Sequence, residues 1–378
     1  MAARLARVRA AASAAGVDAL VVSHLPNVQY LTGFTGSAGI VLVLPRSCLL
    51  IVDFRYVTAV DALVSNLEGQ VTAATVARSY DEAVIDLLRR EGSLRIGIEA
   101  AYLPVARFNL ISAGLAARAP LPLASAAAPP ALVPTERLVE RARVVKDQAE
   151  IATLREAGKR LGAIAARVHT FVREGRTELS IASDIDAAMR AAGFSRPAFD
   201  TMVASGPNSA LPHARPTTRA LVPGDPTVLD FGGVYDGYCV DLTRTVQLGA
   251  ASAGLEQLYA AVAAAQSAAI AAVRPGVATS VIDAAARSVL GRYGLAEAFG
   301  HGTGHGLGLE VHEEPRITRR SLRLADPIVE PGMVFTIEPG AYVPGIGGVR
   351  IEDDVLVTHD GCEVLTRPPT FSEMNGLF

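Results

Sequence analysis

Residues 228–247 read VLDFGGVYDGYCVDLTRTVQ, two short apolar runs on either side of an Asp-Gly pair. An Asp-Gly pair between such runs is typical of a two-residue β-hairpin turn. Each run carries one aspartate, Asp230 and Asp241, among residues that favour burial. A lone strand aspartate is ordinarily solvated, but the apolar neighbours leave few polar positions here. Because buried carboxylates need partners and one dication can satisfy two of them, the hairpin predicts a metal site.

Composition narrows the class of protein. A length of 378 residues indicates two domains, and a net charge of −3 argues against nucleic acid or an acidic membrane as a partner. The two lysines, Lys146 and Lys159, do not lie in a phosphate-binding loop motif. The three cysteines are widely spaced, which is typical of a reducing compartment. We therefore expect a cytoplasmic enzyme with no membrane-spanning segment and no cysteine-built metal site.

The order of predicted elements indicates an α/β fold with two domains. The Ala- and Pro-rich segment 119–134 is predicted to be a linker, so the domains are expected at 1–130 and 135–378. Hydrophobic patterns in the first domain predict an opening helix, strands at 18–23, 39–44, 48–53 and 94–99, and helices at 55–67 and 80–91. The second domain is predicted to hold helices at 146–173, 178–192, 252–273 and 279–292, an order that hints at an internal duplication.

A second cluster of chemistry-bearing residues lies in GHGTGHGLGLEVHEEP, residues 300–315. It holds His301, His305 and His312, with glycines that let the imidazoles approach a common centre. The spacing excludes an H-E-x-x-H zinc helix, because position 316 is an arginine. A histidine-rich turn without a metal is the alternative for this segment taken alone.

Two further carboxylates follow in strand-like segments. Glu338 ends an apolar run before Pro-Gly, while Arg350 and Glu352 alternate with apolar residues and share one strand face. An edge strand with solvated charges would explain Asp353 and Asp354, but it explains Glu338 poorly. Two aspartates, two glutamates and one histidine are a ligand set that suits a pair of hard or borderline dications such as Mn²⁺, with Co²⁺ or Zn²⁺ as alternatives.

In its motifs the chain resembles the M24 metallopeptidases, the pita-bread family that includes methionine aminopeptidases, aminopeptidase P and prolidase. The matching positions follow the family's ligand order: Asp230, Asp241, His305, Glu338 and Glu352. Segments 27–39 (NVQYLTGFTGSAG) and 53–56 (DFRY) resemble the N-terminal domain of Xaa-Pro peptidases, which methionine aminopeptidases lack. The resemblance implies an N-terminal creatinase-like α/β domain followed by a pita-bread catalytic domain.

The resemblance also implies roles for individual residues. The five matching positions would bind two metal ions, with Asp241 and Glu352 contacting both and Glu338 also serving as the proton shuttle. Segment 203–217 is similar to the family segment with a substrate-binding histidine, here His213. His213 and His312 would stabilise the scissile carbonyl, His301 would line the pocket, and Arg350 would contact a ligand or a substrate carboxylate.

These inferences favour a metal-dependent peptidase that hydrolyses the bond before a proline in the second position. The first hypothesis is an Xaa-Pro aminopeptidase acting on oligopeptides, and the second is an Xaa-Pro dipeptidase restricted to dipeptides. A non-catalytic binding module of the same fold would be expected to have lost ligands, and all five are present. A methionine aminopeptidase is disfavoured by the N-terminal segments. The resemblance implies a homodimer.

Overall fold

The computed structural model describes residues 1–67, 69–91, 95–117, 130–321 and 325–367. The chain divides into two units, Met1–Arg143 and Val144–Phe378. Both units combine helices with sheets, which confirms the predicted fold class. Among the described residues, no helix is long and apolar enough to cross a membrane.

The first unit is built on a mixed sheet with strand order β4-β3-β2-β1-β5-β6. Strand β2 pairs antiparallel with β1 and β3, while the other neighbours are parallel. Its strands are β1 Ala19–Val22, β2 Ile40–Val43, β3 Cys48–Val52, β4 Thr72–Thr75, β5 Arg95–Glu99 and β6 Ala131–Thr135. Its helices are α1 Ala2–Ala14, α2 Leu25–Thr32, α3 Val57–Ser65, α4 Tyr80–Arg90, α5 Val105–Ala116 and α6 Leu138–Arg143, with a 3₁₀ turn at Phe54–Tyr56.

The segment predicted as a linker differs from its predicted structure. Residues 118–129 lie outside the described residues, but Ala131–Thr135 is strand β6, which pairs in parallel with β5. This strand extends the sheet of the first unit, and the division between the units follows it at Arg143 and Val144. An Ala- and Pro-rich composition could not reveal this strand, because its stability comes from pairing with β5 rather than from its own β-propensity.

The second unit contains four α-helices among its described residues: α7 Gln148–Ala165, α8 Glu178–Ala191, α9 Ala253–Ala272 and α10 Thr279–Arg292. Short 3₁₀ turns span Val168–Thr170, Gly206–Ala210 and Ala296–Ala298. Its strands are β7 Arg196–Pro197, β8 Met202–Ser205, β9 Pro226–Tyr235, β10 Tyr238–Gln247, β11 Gly304–Gly306, β12 Glu313–Ile317, β13 Val334–Ile337, β14 Gly340–Val343, β15 Gly347–Arg350, β16 Asp353–Val357 and β17 Cys362–Val364.

Local sequence explains where these helices begin and end. Helix α7 begins with a capping box, in which the Asp147 carboxylate accepts from the Glu150 backbone and Glu150 accepts from the Asp147 backbone. The helix ends at Ala165 and continues only as a 3₁₀ turn, earlier than the predicted residue 173. Beyond α8, Gly193 adopts a φ of +93°, as expected of the predicted C-terminal glycine.

The aspartate hairpin forms as its sequence predicts. Asp236 and Gly237 have positive φ values of 46° and 84°, the conformation that a two-residue hairpin turn requires. Strands β9 and β10 pair antiparallel with Asp230 opposite Thr243 and Asp241 opposite Gly232. The hairpin belongs to the sheet β10-β9-β7, in which β8 also pairs with β9.

The second unit repeats the order of a helix pair followed by strands. Helices α7 and α8 precede the hairpin, and α9 and α10 precede the sheet β12-β11-β13-β16-β17 and the β14-β15 hairpin. Each half has its own apolar core, one around α7 and the hairpin and one around α9, α10 and β13. The two halves meet where β10 contacts β15 and β16, so polar residues from both reach the same place.

Candidate metal centre

Glu352, the last of the five predicted ligands along the chain, is held against the aspartate hairpin by three hydrogen bonds. Glu352 forms an isolated bridge with Thr243 of β10, in which its N–H donates to the Thr243 carbonyl at 3.1 Å. The Thr243 hydroxyl donates to Glu352 Oε2 at 2.6 Å. Arg244 donates to the Glu352 carbonyl oxygen at 2.6 Å and to Asp353 Oδ1 at 2.7 Å. Both the backbone and the carboxylate of Glu352 are therefore fixed relative to the hairpin.

His305 and Glu338 come from neighbouring strands of the second half. His305 lies in β11 and its N–H donates to the Thr336 hydroxyl of β13, while Glu338 follows β13 directly. The Glu338 N–H donates to the carbonyl of Thr303 at 2.7 Å. Gly304 lets the strands approach, since a Cβ there would collide with the Thr336 carbonyl. The sheet thus brings both side chains to the hairpin.

Potential ligand atoms of Asp241, His305 and Glu352 all lie within 4.8 Å of one another. His305 Nε2 is 3.9 Å from Asp241 Oδ2 and 3.7 Å from Glu338 Oε1. Residues from two strand systems thus converge on a common centre, as a bound dication would require.

The tautomer of His305 suits metal binding. Its Nδ1 lies 3.2 Å from the Gly306 carbonyl, which can only accept, so Nδ1 carries the proton and Nε2 is left with its lone pair toward the carboxylates. Burial, with a smaller contribution from the charge of His312, lowers the pKa of His305 to about 3. A neutral imidazole with a free Nε2 is the form that binds metals.

Burial and mutual repulsion raise the pKa values of the carboxylates at this centre. Burial is the main cause for Asp241, whose pKa is also raised by Glu352, and for Glu352, whose pKa is also raised by Glu338. Burial likewise raises the pKa of Glu338 to about 7. Such a cluster is costly when ionised without a cation.

Unpaired oxygen atoms provide a direct test of whether a metal fits. Oδ1 of Asp230 and Oδ1 of Asp241 are buried and have no hydrogen-bond partner among the described residues. A native fold rarely leaves such atoms without partners unless an ion or ordered water completes the site. The donor set of carboxylate oxygens and one imidazole suits divalent ions, so the residues fit a metal centre.

All nine residues that the sequence predicted for the site line one cavity of about 430 Å³. They are Asp230, Asp241, His305, Glu338, Glu352, His213, His301, His312 and Arg350. His301 Nδ1 bonds the Gly302 carbonyl, so its Nε2 can accept from the Tyr342 hydroxyl at 3.2 Å. The rings of His305 and His312 meet edge to face, with centroids 4.4 Å apart.

Arg350 contacts protein atoms with each nitrogen of its guanidinium group. Nη2 lies 2.5 Å from Asp230 Oδ2, Nη1 donates to the Tyr342 hydroxyl and the Pro212 carbonyl, and Nε donates to the Thr243 hydroxyl. Its side chain is only 5% exposed. This geometry favours the predicted contact with a metal ligand over the predicted contact with a substrate carboxylate.

Three residues that line or support the centre were missed by the sequence analysis. Arg316 of β12 lies opposite His305 in register and presents an exposed side chain to the cavity. Its charge lowers the pKa of His312, although burial is the larger cause. Thr243 could have been found, because strand period places it on the same face as Asp241. Tyr342 and Arg316 could not have been found from strand periodicity, since their strands β14 and β12 are short.

Two family profiles together match nearly the whole chain. The profile "Metallopeptidase family M24" matches residues 152–359, and "Creatinase/Prolidase N-terminal domain" matches residues 4–145. The chain is 32% identical over 352 residues to an Xaa-Pro dipeptidase of Pyrococcus horikoshii, an alignment that covers 93% of each protein.

Comparison with solved structures also shows similarity over nearly the whole chain. The Xaa-Pro dipeptidase from Bacillus anthracis superposes with a TM-score of 0.89 at 35% identity, covering 97% of this chain and 98% of the other. The X-Pro aminopeptidase from Thermotoga maritima superposes with a TM-score of 0.82 at 32% identity, covering 95% and 98%. Both similarities extend across the two units.

Proposed function

The chain belongs to metallopeptidase family M24 and is an exopeptidase, and we propose that it hydrolyses the bond between an N-terminal residue and a following proline. The convergence of Asp241, His305 and Glu352 in a cavity that also holds Asp230 and Glu338 carries this proposal. The names of the similar proteins support the substrate class. A peptide with proline in second place has no N–H at the scissile bond, so it needs a site shaped for the ring.

The five ligand residues would hold two divalent ions, and we propose Mn²⁺ as the native metal because carboxylate oxygens dominate the donor set. Bound ions of this kind lower the pKa of a water and polarise a carbonyl. The Glu338 carboxylate would accept a proton from the attacking water and deliver it to the prolyl nitrogen as the bond breaks. N–H groups of His213 and His312 would donate hydrogen bonds to the scissile carbonyl oxygen as negative charge develops there.

Arg316 favours dipeptides as substrates. Its guanidinium is exposed in the cavity, and no ion pair engages it among the described residues. A dipeptide presents its C-terminal carboxylate on the proline, close to the scissile bond, where a nearby guanidinium can bind it bidentately. Two of the three similar proteins described above are Xaa-Pro dipeptidases. The dipeptidase is therefore the activity that we expect to dominate.

An Xaa-Pro aminopeptidase remains the second candidate. A depression of about 330 Å³ adjoins the cavity and shares His301, Gly302 and Thr318 with it, which leaves room for residues beyond the proline. The similarity to the Thermotoga maritima aminopeptidase favours the same activity.

A peptide panel tests the proposal and separates the two candidates. Purified protein is freed of metal, reloaded with Mn²⁺, Co²⁺ or Zn²⁺, and assayed on Xaa-Pro, Xaa-Pro-Yaa and matched Xaa-Ala peptides by chromatography of the products. We expect Mn²⁺-dependent cleavage of Xaa-Pro, with slower cleavage of Xaa-Pro-Yaa. Faster cleavage of the longer peptides would favour the aminopeptidase, and absence of cleavage of every Xaa-Pro peptide would contradict the proposal.

We also propose that the protein is a cytoplasmic homodimer. The free cysteines Cys48, Cys239 and Cys362 support a reducing compartment. Light scattering at micromolar concentration measures the assembly, and a mass near the 39.4 kDa of one chain would contradict the dimer.

A further inference from the structure

A buried carboxylate outside the metal centre is the hub of a dense hydrogen-bond network. Glu178 begins helix α8 and its side chain is fully buried. Its Oε1 accepts from N and Oγ of Ser205, both at 2.7 Å. Its Oε2 accepts from N and Oγ1 of Thr217 at 2.9 and 2.7 Å. Nδ2 of Asn208 lies within 3.2 Å of both oxygens.

The residues that Glu178 binds lie at the two ends of one loop. Ser205 ends strand β8 and Thr217 lies beyond the loop 206–216, which carries Pro212 and His213 into the metal cavity. The imidazole of His213 is exposed, and among the described residues no hydrogen bond holds it. The position of this ring is therefore set by the backbone of the loop, and the ends of that backbone are joined by Glu178.

Neighbouring contacts reinforce this anchor. Arg219 makes a two-pronged ion pair with Asp225 at 2.6 and 2.9 Å and donates to the Ser205 hydroxyl. Gly206 has a φ of +52°, and a Cβ there would collide with Asp225. The middle of the loop is held by Arg350, which donates to the Pro212 carbonyl at 3.1 Å.

The chemistry of the anchor requires an ionised carboxylate. Burial alone would raise the pKa of Glu178, but hydrogen bonds from Thr217, Ser205 and Asn208 outweigh it and lower the pKa below its ordinary value. A carboxylate can accept from every one of these donors, whereas a carboxamide replaces one acceptor by a donor. A glutamine at this position would direct its NH₂ group toward an N–H and a hydroxyl at one end of the loop. Both of these donors would then lack an acceptor.

We propose that Glu178 is a positioning residue that closes the loop 206–216 and thereby holds His213 in place for catalysis. The inference rests on the proposed function, in which the His213 N–H binds the scissile carbonyl oxygen. A displacement of a hydrogen-bond donor by about 1 Å can cost about 100-fold in rate. Glu178 thus affects the reaction without touching the substrate.

A double-mutant cycle tests this coupling. Glu178→Gln is expected to lower kcat/KM for an Xaa-Pro dipeptide by at least about 10-fold in the native background and by less than about 2-fold in the His213→Ala background. Metal content should stay unchanged in every variant. Glu150→Gln is the matched control, because Glu150 is another buried helix-N-terminal carboxylate, and it accepts from the Asp147 N–H and the Tyr238 hydroxyl, which both lie outside this loop. Any loss that Glu150→Gln causes should be the same in both backgrounds.

Hydrogen–deuterium exchange gives a readout that does not depend on activity. Exchange of the loop 206–216 should rise in Glu178→Gln and stay unchanged in Glu150→Gln. Thr217→Val, which removes one hydroxyl, is the milder variant if Glu178→Gln does not fold, and its loss of activity should also vanish in the His213→Ala background. Equal losses of kcat/KM in both backgrounds, or unchanged exchange of the loop, would overturn the inference. Inactivity of the native protein would instead contradict the proposed function, and loop exchange would still decide the role of Glu178 as an anchor.

Discussion

The Thr243 hydroxyl donates a hydrogen bond of 2.6 Å to Oε2 of Glu352, and so links the aspartate hairpin to the last carboxylate of the candidate metal centre. Thr243 is fully buried, and its hydroxyl also accepts from Nε of Arg350. Partners that orient ligands in this way typically contribute 10- to 100-fold to metal affinity. The bond therefore makes a testable contribution to metal binding rather than to the overall fold alone.

Replacing Thr243 by valine keeps the shape of the side chain and removes the hydroxyl. We expect Thr243→Val to weaken Mn²⁺ binding by about 10-fold, as measured by calorimetric titration of the metal-free protein. Thr32→Val is the control, because the Thr32 hydroxyl is equally buried but bonds only the backbone within the first unit. Equal affinities in the native protein and Thr243→Val would contradict this role.

Stability of the metal-free protein should depend on pH through the buried carboxylates. The folded-state pKa of Glu338 is raised from 4.5 to about 7, chiefly by burial, so the native state binds more protons than the unfolded state between these values. The resulting stabilisation is present below about pH 4.5 and is lost as the pH rises to about 7. The pKa values of Asp241 and Glu352 are raised in the same direction.

Bound metal should reverse this loss of stability at higher pH, since cations bind the ionised carboxylates. We expect the difference in Tm between Mn²⁺-loaded and EDTA-treated protein to increase from pH 5 to pH 7 in a thermal denaturation series. A Tm difference that is constant or shrinks over this range would show that the metal does not offset the cost of ionising the buried carboxylates.

Arg316 should determine the KM of the enzyme for dipeptides. We expect Arg316→Gln to raise KM for an Xaa-Pro dipeptide by about 10-fold, because a charge-assisted bond to its C-terminal carboxylate is lost. The KM for an Xaa-Pro-Yaa amide, which carries no carboxylate, should change little. Arg190→Gln, an exposed arginine of α8 that does not line the cavity, is the control. A parallel rise in KM for both peptides would exclude a specific carboxylate contact.

Gly304 should be required for close packing of strands β11 and β13, which position the predicted ligands His305 and Glu338. A Cβ at this position would collide with the Thr336 carbonyl of β13. We expect Gly304→Ala to lower the free energy of unfolding by about 1–3 kcal/mol in urea denaturation of the metal-free protein. Gly291→Ala is the opposite case, because nothing lies within 4 Å of its added Cβ in helix α10, and it should stabilise by about 0.5–1 kcal/mol. Equal stability of the two variants would contradict the packing argument.

The predictable part of the fold and site came from short-range patterns. The turn at Asp236-Gly237, the C-terminal glycine Gly193 and the helices α8, α9 and α10 follow from local conformational preferences and hydrophobic period. The convergence of the five predicted ligand residues on one cavity was predicted by the resemblance and by the rule that buried carboxylates need partners. Strand β6 was not predicted, because its edge position in the sheet depends on pairing with β5.

By itself, the sequence determined which residues are the candidates for metal binding and catalysis, because carboxylates and imidazoles in apolar, glycine-punctuated segments are costly without a common partner. Only the tertiary structure decided which contacts the neighbouring residues make. It places the Arg350 guanidinium in a hydrogen bond with Asp230 and leaves the Arg316 side chain exposed in the cavity. It also brought Glu178 to both ends of the His213 loop. These choices depend on packing between segments far apart in the chain, where a side chain's direction is set by what already surrounds it and not by its own local pattern.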